Sequence, residues 1–274
     1  RLRAHQRAAA RPSGSERKRR AREREGAVGV ITVNRPDKLN ALDLTTIEAM
    51  GTAFSTMESD PEVNVIVVTG AGRAFVAGGD IADLNSRQGL AHYQEFAGQI
   101  HGLFRRIELC EKPTIGAVNG WALGGGCELM LSLDIRILSD RAKIGVPEIN
   151  LGLFPGAGGT QRLIRQIPLC RAKELMFTGE PIDAQEALRL GLANRVVLAD
   201  ELMKSCMELA EKIAGKSSLA LKILKRTLGD GQDMSLPASL AHEQAMVSLV
   251  LDSHDADEGC SAFLEKRDAK FNGS

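Results

Sequence analysis

The stretch Thr114-Ile115-Gly116-Ala117-Val118-Asn119-Gly120-Trp121-Ala122-Leu123-Gly124-Gly125-Gly126-Cys127-Glu128 runs from an apolar segment through a glycine cluster to a carboxylate. Thr114 to Val118 has the composition of a buried strand. A helix is expected to open in the glycine run at Gly124, with Glu128 in its first turn. A strand that hands over to a helix is the repeating unit of layered α/β folds.

The same alternation is found upstream. Val28 to Val33 reads as a strand, Thr45 to Met57 as a helix, and Val63 to Val68 as a continuous apolar strand buried on both faces, so the chain opens β-α-β. A polar helical stretch follows around Ala91 to Ile107. Beyond about Arg171 the strand signal fades. Leu202, Cys206, Leu209, Ala210 and Ile213, then Ala220, Ile223, Leu224, Thr227 and Leu228, repeat at helical spacing. A last amphipathic segment, roughly 255 to 266, leaves Phe263 and Leu264 available for packing or for a neighbour. The expected architecture is an α/β core over residues 26–200 and a helical region over 201–274.

The 274 residues are 43% hydrophobic and 26% charged, which is ordinary globular usage, and no apolar run approaches the roughly eighteen residues that span a bilayer. The net charge of zero hides an asymmetry. Residues 1–25 carry ten Lys or Arg against Glu16, Glu23 and Glu25, a net +7, which leaves −7 for the rest. With no aromatic residue for base stacking, the tail is expected to be a disordered appendage, and nucleic acid is not the expected partner. The acids and the Arg17-Lys18-Arg19-Arg20 cluster fit a transit peptide poorly. Five cysteines without C-x-x-C spacing suggest neither a disulfide framework nor a zinc site. The default compartment is the cytoplasm, with the mitochondrial matrix as the alternative if the tail is a transit peptide.

Several glycine clusters invite other readings and fail them. Gly70-Ala71-Gly72 would need its third fingerprint glycine at Phe75, and Gly156-Ala157-Gly158 would need one at Gln161, so neither is a dinucleotide site. Gly215-Lys216-Ser217 lacks the glycine that a phosphate loop requires at Ala210. His242-Glu243 lacks a second histidine at Met246, and no calcium loop is present, so no metal is expected.

Two glycine turns remain, Phe75-Val76-Ala77-Gly78-Gly79-Asp80 and Asn119 to Glu128. At such turns a ligand can approach backbone N–H groups closely, and the start of a helix offers unpaired donors able to hold an oxyanion. Alone, either run reads equally well as a tight turn. Glu148 follows Pro147 in an apolar stretch with no charge partner within a turn of sequence, and a buried glutamate tends to a raised pKa. Its alternative is a tertiary partner such as Arg162. Two carboxylates beside two sets of backbone donors are what proton transfer next to a carbonyl requires.

From about Gly26 to Lys270 the sequence resembles the enoyl-CoA hydratase, or crotonase, family. The resemblance is carried by Asn34-Arg35-Pro36-Asp37-Lys38-Leu39-Asn40-Ala41-Leu42, Ala77-Gly78-Gly79-Asp80-Ile81, Asn119 to Glu128, Pro147-Glu148-Ile149, Pro155-Gly156-Ala157-Gly158-Gly159-Thr160-Gln161-Arg162-Leu163 and Ser261-Ala262-Phe263-Leu264-Glu265-Lys266-Arg267. It implies a spiral of β-β-α repeats with a C-terminal helical trimerisation region, assembling as trimers or hexamers. It also implies an acyl-CoA thioester substrate and no cofactor beyond the CoA of that substrate.

In these terms Glu128 and Glu148 hold a water, and the N–H groups of Gly79 and Gly125 form an oxyanion hole. Lys38, Ala41, Ala77, Asp80, Ile81, Trp121, Phe263 and Lys266 contact substrate or CoA, the last pair from a neighbouring subunit. The implied reaction is reversible hydration of trans-2-enoyl-CoA. Other crotonase chemistry (isomerase or thioester hydrolase) and an RNA-binding relative are the alternatives. Gly79 stands where alanine is usual, and Ala82 where a lysine often meets the CoA phosphates.

Overall fold

The computed structural model describes residues 22–86 and 89–274. The basic tail before residue 22, with its proposed disorder, therefore lies outside the described residues.

The chain builds two sheets. β1 (Arg22–Glu25) and β2 (Val28–Val33) form an antiparallel hairpin, and β3 (Val65–Gly70), β5 (Thr114–Val118), β7 (Ile135–Ser139) and β10 (Arg195–Val197) extend it in parallel to a six-stranded sheet. The second sheet has the order β4-β6-β8-β9, from β4 (Ala74–Val76), β6 (Trp121–Leu123), β8 (Lys143–Gly145) and β9 (Ile182–Asp183). Here β4, β6 and β8 run parallel, and β9 is antiparallel.

Successive strands go to different sheets. β3, β5 and β7 each enter the long sheet, and the next strand of each pair, β4, β6 and β8, enters the short one. A helical segment follows each pair: α2 (Ile81–Ser86) and α3 (Leu90–Leu109) after β4, α4 (Gly125–Leu131) after β6, and a 3₁₀ turn (Pro147–Leu151) after β8. This is the expected spiral of β-β-α repeats. Because β4, β6 and β8 lie side by side, whatever leaves their C-terminal ends is brought together at spacings of about 5 Å per strand.

The central strands β2, β3 and β5 of the long sheet are buried on both faces, which explains their unbroken apolar sequences. Ile66 and Val68 face a core shared with α1 (Leu44–Ser59) and α3, while Val65 and Val67 face α8 (Leu202–Ala214) through Leu202, Cys206 and Ala210. The core therefore extends to Ala214 rather than stopping near residue 200. The boundary at residue 25 also moves, because Arg22–Glu25 pairs residue by residue with β2. The short strands β4, β6, β8, β9 and β10 were not expected, since two or three residues carry no readable alternation.

α5 (Gly159–Gln166), α6 (Leu169–Thr178) and α7 (Ala184–Arg189) complete the core, and α9 (Ser218–Gly231), α10 (Leu236–Leu251) and α11 (His254–Glu265) form the C-terminal region. Lys225 on α9 ties this region down by donating to Asp134 Oδ2 at 2.6 Å and to the Lys112 carbonyl at 3.1 Å. Neither α9 nor α10 has a buried residue in the single chain, and Leu236, Leu240, Leu249 and Leu251 are exposed. Among the described residues no helix is long and apolar enough to cross a membrane.

Candidate active site

Gly79 follows β4, Gly125 follows β6 and Glu148 follows β8, so three consecutive repeats deliver one candidate group each to the same edge. Glu128, one turn into α4, is the fourth.

Gly125 is the first residue of α4, where a backbone N–H has no intrahelical acceptor. Gly79 bridges Leu42, but the bridge uses the Leu42 N–H to the Gly78 carbonyl and the Asp80 N–H to the Leu42 carbonyl, both 2.8 Å, and leaves the Gly79 N–H out. The two turns abut. A Cβ on Gly125 would lie 3.9 Å from the Gly78 carbonyl carbon, and one on Gly124 would lie 2.9 Å from Glu148 Oε1. Gly124 also has φ +51°, so a side chain there would block the site and strain the turn.

Glu128 is 2% exposed, and its Oε1 accepts the N–H groups of Ala157 and Gly159, both at 2.7 Å. Burial pushes its pKa above the usual carboxylate range. The two N–H bonds, His101 and Arg162 oppose that without cancelling it. Glu148 is half-buried, and its Oε2 has no partner among the described residues. Burial first, and the nearby Glu128 charge as well, push its pKa up to about 7. The pair is thus asymmetric: Glu128 accepts two N–H groups from another loop, whereas Glu148 has only its own backbone N–H to favour the anion. Burial also pushes the thiol of Cys127 up, which keeps this residue a neutral packing group.

The loop before Gly79 is braced by groups the sequence reading passed over. Asn40 is completely buried at φ +61°, and its side-chain amide donates to the carbonyls of Ala71 (2.9 Å), Ala74 (2.8 Å) and Phe75 (3.2 Å). Arg35 reaches Asp80 at 2.8 Å and Asp43 at 3.1 Å, and donates to the Ala41 carbonyl at 3.0 Å. Burial would raise the pKa of Asp80, but the Arg35 contacts and the N–H groups of Asp83 and Ala82 hold it below its ordinary value. Asp80, expected to contact substrate, is therefore engaged in holding this turn. Ala41 and Ala77 are half-buried in the same loops, and Lys38, Ile81 and Trp121 are exposed around them.

Phe263 and Lys266 stand exposed at the end of α11, and no hydrogen bond or ion pair of the described residues joins them to the carboxylates. Arg162, the suggested partner of Glu148, instead forms a pair with Glu108. The N–H donors of Ala157 and Gly159 were also missed. Their only sequence signal is the glycine run from 156 to 159, which says nothing of its target.

Paired carboxylates, one bonded to two backbone N–H groups and the other with an unpartnered oxygen, beside two adjacent unpaired N–H donors on a two-sheet β-β-α spiral, define a class, and the chain belongs to it: the enoyl-CoA hydratase/isomerase family, whose sequence pattern matches residues 23–274. The chain is 44% identical over 246 residues to the short-chain-enoyl-CoA hydratase of Clostridium acetobutylicum, covering 89% of this chain and 94% of that protein. It is 40% identical over 250 residues to the crotonyl-CoA hydratase of Syntrophomonas wolfei, covering 91% and 96%. The crystal structure of an enoyl-CoA hydratase from Bacillus anthracis superposes with a TM-score of 0.89 at 35% identity, covering 92% of this chain and 98% of that one.

Proposed function

We propose that the protein is an enoyl-CoA hydratase that adds water reversibly to a trans-2-enoyl-CoA, giving a 3-hydroxyacyl-CoA. The observation that carries this is the carboxylate pair Glu128 and Glu148 set against the free N–H groups of Gly79 and Gly125. The thioester oxygen accepts those two N–H groups, which stabilise the enolate-like charge that develops as water bonds to C3. Glu128, whose Oε1 accepts the N–H groups of Ala157 and Gly159, takes the proton from water. Glu148, which holds its proton to about pH 7, delivers one to C2. The two carboxylates titrate as a coupled pair, so the active form is the one that holds a single proton. No cofactor enters this step.

The exposed apolar side chains of α9 and α10 support a homo-oligomer, trimer or hexamer, because an apolar helix with no buried residue is normally covered by a copy. In such an assembly Phe263 and Lys266 are free to reach the CoA of a neighbour. The cytoplasm is the compartment we assign: all five cysteines are free, Cys110, Cys127 and Cys206 among them buried.

The test is loss of the conjugated enoyl-thioester absorbance with crotonyl-CoA, assayed together with free thiol, for the wild type and for Glu128→Gln and Glu148→Gln. Rapid loss without thiol, abolished by either substitution, is expected. Thiol release would mean hydrolysis instead, and no loss would end the hydratase reading.

A further inference from the structure

Near Glu128 sits a partly buried guanidinium that the reaction does not use directly. Arg162 is 13% exposed, and its Nε and one terminal nitrogen meet both oxygens of Glu108 at 3.0 Å each, a bidentate pair between α5 and α3. Its other terminal nitrogen donates to the Ala157 carbonyl at 3.1 Å. Gly158 makes this possible. It has φ +104°, and a Cβ there would lie 2.1 Å from Arg162 Nη1, so the guanidinium rests directly on the loop backbone.

Ala157 is therefore held at both ends, its carbonyl by Arg162 and its N–H by Glu128. Glu108 is itself fixed. Burial would raise its pKa, but hydrogen bonds and charge from Arg162, and then from Arg105, hold it below the ordinary value.

We infer that Arg162 and Glu108 are a positioning pair, which holds the Ala157–Gly159 loop so that two N–H groups converge on Glu128 Oε1. This rests on the reading of Glu128 as the base. The charged and titratable groups that face Glu128 are Arg162 from α5, His101 from α3, Glu148 from the 3₁₀ turn and Cys127 from its own helix. Removing Arg162 takes away a favourable charge and loosens both donors, and both changes raise the proton affinity of Glu128. Lysine keeps the charge but cannot form the fork or reach the carbonyl in the same pose.

The experiment is the pH profile of kcat/KM for crotonyl-CoA hydration by wild type, Arg162→Met, Arg162→Lys and Glu108→Gln. A ¹³C NMR titration of the Glu128 carboxylate accompanies it and needs no turnover. For Arg162→Met the acid limb should move to higher pH, lowering kcat/KM about 10-fold at pH 6, with the deficit narrowing as pH rises. Arg162→Lys, which keeps the charge but not the brace, should return the limb only part of the way with kcat still reduced, and Glu108→Gln should lower kcat with little change in KM. A Glu128 titration unchanged in every variant that folds, or a loss uniform across pH, would overturn the inference. A wild type without hydratase activity would sink the functional reading alone, because the titration still tests the brace.

Discussion

Gly159 donates its N–H to Glu128 Oε1 at 2.7 Å, and a Cβ added at Gly159 would lie 2.9 Å from that same oxygen and 2.9 Å from Glu128 Cγ. The donor and the empty space beside it are one feature, since only a residue without a side chain can bring its N–H this close from the start of α5. Gly159→Ala keeps a helical backbone, so folding is largely preserved. The carboxylate must move, and a displacement of about 1 Å in a reacting group costs about 10²-fold. A fall of that size in kcat/KM, with the far-UV circular dichroism of the wild type, is the expected outcome.

Glu148 makes the opposite statement about stability. Folding raises its pKa from the ordinary carboxylate value to about 7, so between those values the folded state holds a proton that the unfolded state has lost. Stability therefore falls as pH rises across this window and levels off above it. Replacing Glu148 by Gln removes the share of this dependence that Glu148 contributes and leaves that of Glu128, whose pKa is also raised. We expect the variant to be more stable than wild type at pH 8 by on the order of 1 kcal/mol, after allowing for the solvent that reaches this half-buried group, and nearly equal at pH 4. Thermal melts at the two pH values check this.

How far the sequence could lead follows from the same residues. β3 and β5 are five or six residues long and apolar, so the long sheet was legible. β4, β6 and β8 have three residues each, too few for a period, and with them the short sheet that gathers Gly79, Gly125 and Glu148 was invisible to pattern reading. The family resemblance supplied those residues and the spiral. It did not supply their supports. Arg162 paired with Glu108 across 54 positions, and Asn40 bonded to carbonyls 31 to 35 positions away, are contacts that local sequence cannot specify.

The Arg35 contacts give a prediction that separates two uses of Asp80. If Asp80 holds the turn that presents the Gly79 N–H, Asp80→Asn should weaken the 2.8 Å ion pair and lower kcat with KM little changed. A residue that binds CoA would instead raise KM. Steady-state kinetics should show kcat reduced about 10-fold, a fraction of what losing an oxyanion donor outright costs. Arg35→Met, which also releases Asp43 and the Ala41 carbonyl, should fall further in the same direction.

Gly79 and Gly126 predict opposite results for the same change. At Gly79 the nearest atom to an added Cβ would be Leu84 Cδ1 at 3.5 Å, an ordinary contact, and its φ lies outside the left-handed range. Gly79→Ala therefore keeps the N–H where it is and restricts the unfolded chain, so activity should stay within about threefold of wild type and the melting point should rise slightly. At Gly126 an added Cβ would lie 1.8 Å from the Val76 carbonyl oxygen, and neither partner can yield, because one is the first turn of α4 and the other the end of β4. Gly126→Ala must separate the helix from the short sheet. Loss of soluble folded protein is expected there, and a well-folded Gly126→Ala variant would show that α4 is not seated on β4 as described.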